Sequence, residues 1–94
     1  MPTRRLYVVA YDIRDPTRLR RVLAVVKSWS AGGQKSVHEC WLEDAEAERL
    51  IAELEAEIRD DVDSLVVFRP EDPKKTRTLG IATPPEDRDW FYFD

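Results

Sequence analysis

One cysteine, one histidine and three glycines are all that this 94-residue chain holds of three informative residue types. A lone thiol, Cys40, closes no internal disulfide, which argues against a disulfide-stapled secreted module and suits a reducing compartment. One histidine and one cysteine cannot complete a zinc shell. On a strand, His38 and Cys40 would face one side and Glu39 the other, so these three do not converge either. Three glycines leave no Gly-rich loop to cradle phosphates, and no Ser-His-Asp set is assembled for serine catalysis. No apolar run approaches bilayer length, and Met1-Pro2-Thr3-Arg4-Arg5 leads straight into the first apolar run without leader character. The expectation is a cytoplasmic protein with no membrane association.

Charge of one sign is scarce in each half. Residues 1–38 hold eight Lys or Arg against Asp12 and Asp15, a balance of +6, whereas residues 39–94 hold seven basic against seventeen acidic, a balance of −10. Net charge is therefore only −4. Phosphate binding depends on the local field, so a basic face survives on an acidic protein.

Ninety-four residues make one domain with 43% hydrophobic and 36% charged composition. The most informative stretch is Leu6-Tyr7-Val8-Val9-Ala10-Tyr11, an unbroken apolar run ending in a carboxylate, Asp12. Such a run reads as a strand over about residues 4–12, buried on both faces. Asp15 is a good helix cap and Pro16 suits the first helical position. Leu19, Val22, Leu23, Val26 and Trp29 then recur at helical spacing. Residues 34–42 read as extended with a break near Ser36. Asp44 is placed to cap a second helix with the stripe Ala47, Leu50, Ile51, Leu54 and Ile58 and a glutamate-rich outer face. Residues 64–68 form a second buried strand and residues 76–81 a short one. The predicted fold is α+β, a ferredoxin-like α/β sandwich over residues 1–82, with the break near Ser36 supplying the strand that this order needs.

Residues 83–94 form a tail ending in Trp90-Phe91-Tyr92-Phe93. Four consecutive rings cannot sit at the exposed edge of a small monomer without inviting aggregation. Either the tail is buried on the protomer's own sheet or, the favoured expectation, it forms an extra C-terminal strand exchanged between the copies of a homodimer.

Asp12 lies where its strand leaves the core, the place where ligands gather in α/β sheets. Arg14, Arg18, Arg20 and Arg21 follow at once, with Lys35 further on, and are candidate nucleic-acid-binding residues. Mg2+ takes oxygen ligands and keeps several waters, and no second acid stands obviously beside Asp12, since Asp15 is better used as a cap. A two-fold axis would bring two copies of Asp12 around one ion. Alternatively, Asp12 bonds only turn amides.

These residues, in order, resemble the second family of CRISPR-associated (Cas) proteins, small metal-dependent endoribonucleases of spacer acquisition. The likeness rests on Tyr7-Val8-Val9-Ala10-Tyr11-Asp12-Ile13, on Arg21-Val22, and on Gln34-Lys35-Ser36-Val37-His38-Glu39-Cys40. Asp63-Ser64 and Leu79-Gly80 add to it, so it spans nearly the whole chain. It departs from the family pattern at His38, where a phenylalanine is usual, and at Gly32, where a basic residue is frequent. The resemblance implies a ferredoxin-like homodimer with exchanged C-terminal strands and a divalent metal, Mg2+ with Mn2+ as substitute, held between the paired Asp12 carboxylates. It further implies metal-dependent endonuclease activity on RNA or DNA in CRISPR adaptation. Two other readings stand beside it. One is a non-catalytic dimeric scaffold gripping DNA for the adaptation integrase, and the other a ferredoxin-like regulatory module without nucleic acid.

Overall fold

A computed structural model describes residues 3–30, 32–34 and 37–82. Its elements run β1 (Arg5–Asp12), α1 (Pro16–Trp29), β2 (Gly32–Gln34), β3 (Val37–Leu42), α2 (Asp44–Glu55), β4 (Ser64–Phe68) and β5 (Arg77–Gly80), with one 3-10 turn at Pro73–Lys75. The sheet order is β2-β3-β1-β4-β5 and all pairings are antiparallel. The first four strands have the ferredoxin-like order, and β5 extends the β4 edge. The predicted break in residues 34–42 separates β2 from β3. Lys35, Ser36 and the whole aromatic tail lie outside the described residues. Among the described residues, no helix is long and apolar enough to cross a membrane.

Local chemistry accounts for the element ends. Asp15 accepts from the Arg18 amide at 2.9 Å and Pro16 opens α1, as the sequence pattern predicts. At α2 the cap falls one residue earlier than expected, on Glu43 instead of Asp44. The Glu46 side chain accepts from the Glu43 amide at 2.8 Å, a reciprocal bond that Asp44 as cap could not receive from that position. Asp44 is thereby left inside the first turn, free to reach Tyr7.

Register sorts the sheet into two faces. Tyr7, Val9 and Tyr11 of β1, Cys40 and Leu42 of β3, Leu65 and Val67 of β4, and Leu79 of β5 point to one side. There they pack with Val22 and Val26 of α1 and with Leu50, Ile51 and Leu54 of α2 in one core. The opposite face carries Leu6, Val8 and Ala10, which are half-buried, and Trp41, which is 49% exposed. β1 is therefore fully buried on one face only, which corrects the expectation of burial on both. Both helices lie on the same side, and an unbroken apolar run does not say which of its faces they cover.

Candidate active site

At the carboxyl end of β1, Asp12 pairs across the ladder with Ser64 and its side chain is exposed. Among the described residues its carboxylate has neither a hydrogen bond nor an ion pair, which sets aside the turn-amide reading within that set. Tyr11 and Ile13 on either side are buried, so the segment is pinned by its neighbours while Asp12 itself faces out. Asp15 is occupied as the cap of α1. Among the described residues, Asp12 is the free acid of this turn.

A second carboxylate lies beneath the same turn. Asp63, the residue before β4, is fully buried. Its Oδ1 accepts from the Arg14 amide at 3.0 Å and from Arg18 Nη2 at 3.1 Å. Its Oδ2 accepts from Arg18 Nε at 2.8 Å and from the Arg59 amide at 2.9 Å. The Arg18 guanidinium, helped by the two amides, pulls the Asp63 carboxyl down to about 2 against the opposing effect of burial. The same bond to Asp63 raises Arg18 above its ordinary value.

The backbone of Asp63 is tied as well. Its amide donates to the Arg59 carbonyl at 2.9 Å, and its carbonyl accepts from the Ile81 amide at 2.9 Å. Gly80 passes so close, at φ +67°, that any Cβ there would overlap the Asp63 carbonyl oxygen.

The predicted arginines thus part company. Arg14, Arg20 and Arg21 are exposed, the first in the turn after Asp12 and the others on the first turns of α1. Arg18 is only 18% exposed at its side chain, and its Nε–Nη2 edge is committed to Asp63. Lys35 lies outside the described residues. Asp63 was legible only as part of the Asp63-Ser64 resemblance. Its one local signal is an acid set directly against a buried strand, which normally excludes an unpaired charge.

The motif at 38–40 alternates as expected, with His38 and Cys40 buried and Glu39 exposed. His38 stacks parallel to Tyr11, ring centroids 5.9 Å apart, and its Nε2 lies 3.3 Å from the Tyr11 hydroxyl. An imidazole thereby occupies an aromatic position of the core. Burial pushes the Cys40 thiol up to about 11, consistent with its reading as a small core residue and not a nucleophile. No group of three or more His, Cys, Asp or Glu side chains that could hold a metal occurs among the described residues.

The far end of β1 carries a different cluster. The Tyr7 hydroxyl donates to Asp44 Oδ1 at 2.7 Å, and Arg69 Nη1 reaches the same oxygen at 3.4 Å. Lys75 Nζ lies 3.7 Å from Oδ2, and the Arg69 guanidinium stacks 5.7 Å over the Tyr7 ring. Burial, then the Asp44 carboxylate, pushes Tyr7 up to about 12. This clasp joins β1, the start of α2 and the 69–76 loop beside a cleft of about 400 Å³. Two basic residues of the following stretch are ion-paired to α2, Lys75 with Asp44 and Arg77 with Glu48.

An open carboxylate at the end of the central strand, beside an arginine-bearing helix start on a ferredoxin-like sheet, defines a class of small α+β proteins suited to phosphate chemistry. The family model described as "CRISPR associated protein Cas2" matches residues 5–78. The CRISPR-associated endoribonuclease Cas2 1 of Thermodesulfovibrio yellowstonii is 44% identical over 93% of this chain and 95% of its own. The CRISPR-associated endoribonuclease Cas2 2 of Nitrosomonas europaea is 36% identical over 85% of this chain and 71% of its own. A hypothetical protein of Thermus thermophilus, solved by crystallography, superposes with a TM-score of 0.64 at 31% identity, covering 85% of this chain and 84% of that one. The chain belongs to the Cas2 family of CRISPR-associated proteins.

Proposed function

We propose that this chain is a metal-dependent endonuclease of CRISPR adaptation, hydrolysing phosphodiester bonds of RNA or DNA in the cytoplasm as a homodimer with Mg2+ at Asp12. One observation carries the reading: Asp12 is exposed, without an internal partner among the described residues, at the end of the central strand. The names of the relatives, endoribonucleases of the same family, support it.

Carboxylate oxygens are the hard donors that Mg2+ prefers, and Mg2+ is commonly held by one or two carboxylates with waters and substrate phosphates completing its shell. Asp12 fits that mode, and a two-fold axis would add a second Asp12 from the other copy. When bound, such an ion lowers the pKa of a water and offsets charge on the scissile phosphate. Arg14, Arg20 and Arg21 hold the phosphate backbone in register, and Arg18 acts from beneath through Asp63. The half-exposed apolar sheet face with Leu6, Val8 and Trp41 supports association of two copies.

One observation favours a second reading. An exposed carboxylate, Asp12, followed in the chain by the exposed Arg14, Arg20 and Arg21 suits a non-catalytic scaffold that grips duplex DNA for the adaptation integrase. Asp12→Asn separates the two. It keeps the shape and removes the charge, so folding and dimerisation persist while Mg2+-dependent cleavage of labelled RNA and DNA disappears. Calorimetry with MnCl2 is expected to give about one ion per wild-type dimer and none for the variant. Cleavage by Asp12→Asn at the wild-type rate refutes the catalytic reading. Salt-dependent DNA binding by a wild type that cuts nothing establishes the scaffold.

A further inference from the structure

Three pins fix the short segment that carries Asp12. The ladder pairs Asp12 with Ser64, the Ile13 side chain is buried, and the Arg14 amide donates to Asp63 Oδ1 at 3.0 Å. Two of the three come from adjacent residues, Asp63 and Ser64. One dipeptide therefore grips the segment from the strand side and from below.

We infer that Asp63 is a positioning residue for the Asp12 site, an inference that rests on the catalytic reading just given. Full burial keeps its carboxylate away from any substrate, so it acts only through what it holds. What it holds is the exit of β1, the first turn of α1 through Arg18, and the middle of the α2–β4 loop through the Arg59 amide. All three precede Asp63 in the chain, two by 45 to 49 residues and one by 4, yet meet at its two oxygen atoms.

The chemistry explains why an ion pair stands here. Rotating the Arg14 peptide away would leave an acceptor of Asp63 short of a donor inside the protein, at a cost that holds the turn in one conformation. The bidentate Arg18 fork fixes the plane of the carboxylate, which a flexible ammonium would not do. Arg18 is accordingly a positioning residue too, and the exposed arginines around it make the phosphate contacts.

The test compares wild type, Asp12→Asn, Asp63→Asn and Arg18→Lys as full-length proteins. It is run at a temperature where circular dichroism and size exclusion show all of them folded and alike. Should Asp63→Asn fail to fold, Arg18→Lys, which keeps the charge and gives up the fork, carries the test. Steady-state cleavage of a labelled single-stranded RNA is expected to lose about ten- to a hundred-fold in kcat with KM within about two-fold, the pattern of misplaced chemistry rather than lost binding. MnCl2 titrated without nucleic acid is expected to bind about ten-fold more weakly than to wild type. A folded variant with wild-type kcat and wild-type Mn2+ affinity overturns the inference. So does Arg18→Lys with raised KM and unchanged kcat, which returns Arg18 to direct phosphate contact. A wild type that neither cuts nor binds Mn2+ better than Asp12→Asn removes instead the reading on which the inference rests.

Discussion

Replacing Asp63 by Asn should cost this domain a large share of its stability, and the loss should depend on pH. The side chain is fully buried and accepts four hydrogen bonds from Arg14, Arg18 and Arg59. An Asn amide offers one oxygen where the carboxylate offers two, so its NH2 would face N–H donors and Arg18 would lose its counterion. Removing one partner of a buried pair costs about 3–5 kcal/mol. A domain of this size has roughly 5–14 kcal/mol in total, so the variant remains folded only with a reduced margin. The pH term has a definite sign. The carboxyl is depressed from 3.8 to about 2 on folding, so its contribution is complete above about pH 5 and is lost as pH falls through 4 towards 2. At 1.36 kcal/mol per pH unit of displacement, that contribution is about 2 kcal/mol. Urea unfolding at fixed protein concentration, at pH 7, 5, 4 and 3, measures both. Wild type should show the acid-linked loss, and Asp63→Asn should start lower and lose correspondingly less between pH 5 and 3. Equal stability at pH 7, or parallel pH profiles, would refute the reasoning.

Two further outcomes are expected. Gly80→Ala puts a Cβ at φ +67° against the Asp63 carbonyl and disturbs the Ile81–Asp63 hydrogen bond, so it should destabilise by about 2–3 kcal/mol in urea, and a change under 0.5 kcal/mol would be inconsistent with that contact. Cys40, buried with its thiol raised to about 11, should resist iodoacetamide at pH 8 in the native protein and react once unfolded in urea; fast native labelling followed by mass spectrometry would contradict its burial.

Much of the fold was legible because the rules that shape it act over a few residues. The six-residue apolar run and the β-branched 64–68 segment read as strands from composition and period alone. Asp15-Pro16 marked the start of α1 because a cap bond and a fixed φ are local properties. The cap of α2 slipped by one residue although Asp is the better intrinsic cap, because Glu46 stands three residues after Glu43 and accepts from its amide. Asp12 could be singled out as an acid at the end of a buried strand, and the neighbouring arginines as a basic cluster.

What spacing could not reveal was the division of labour inside that cluster. Arg18, Arg20 and Arg21 look alike in one dimension. Only the folded chain brings Asp63, 45 residues away, under Arg18 and leaves Arg20 and Arg21 exposed. Likewise the run from Leu6 to Tyr11 is apolar at every position, so only the placement of both helices on the Tyr7–Val9–Tyr11 side decides which face of β1 is sealed. Local chemistry determined the elements and named the open carboxylate. Long-range packing decided which charges are sealed in and which remain exposed, because burial is a property of what arrives from elsewhere in the chain.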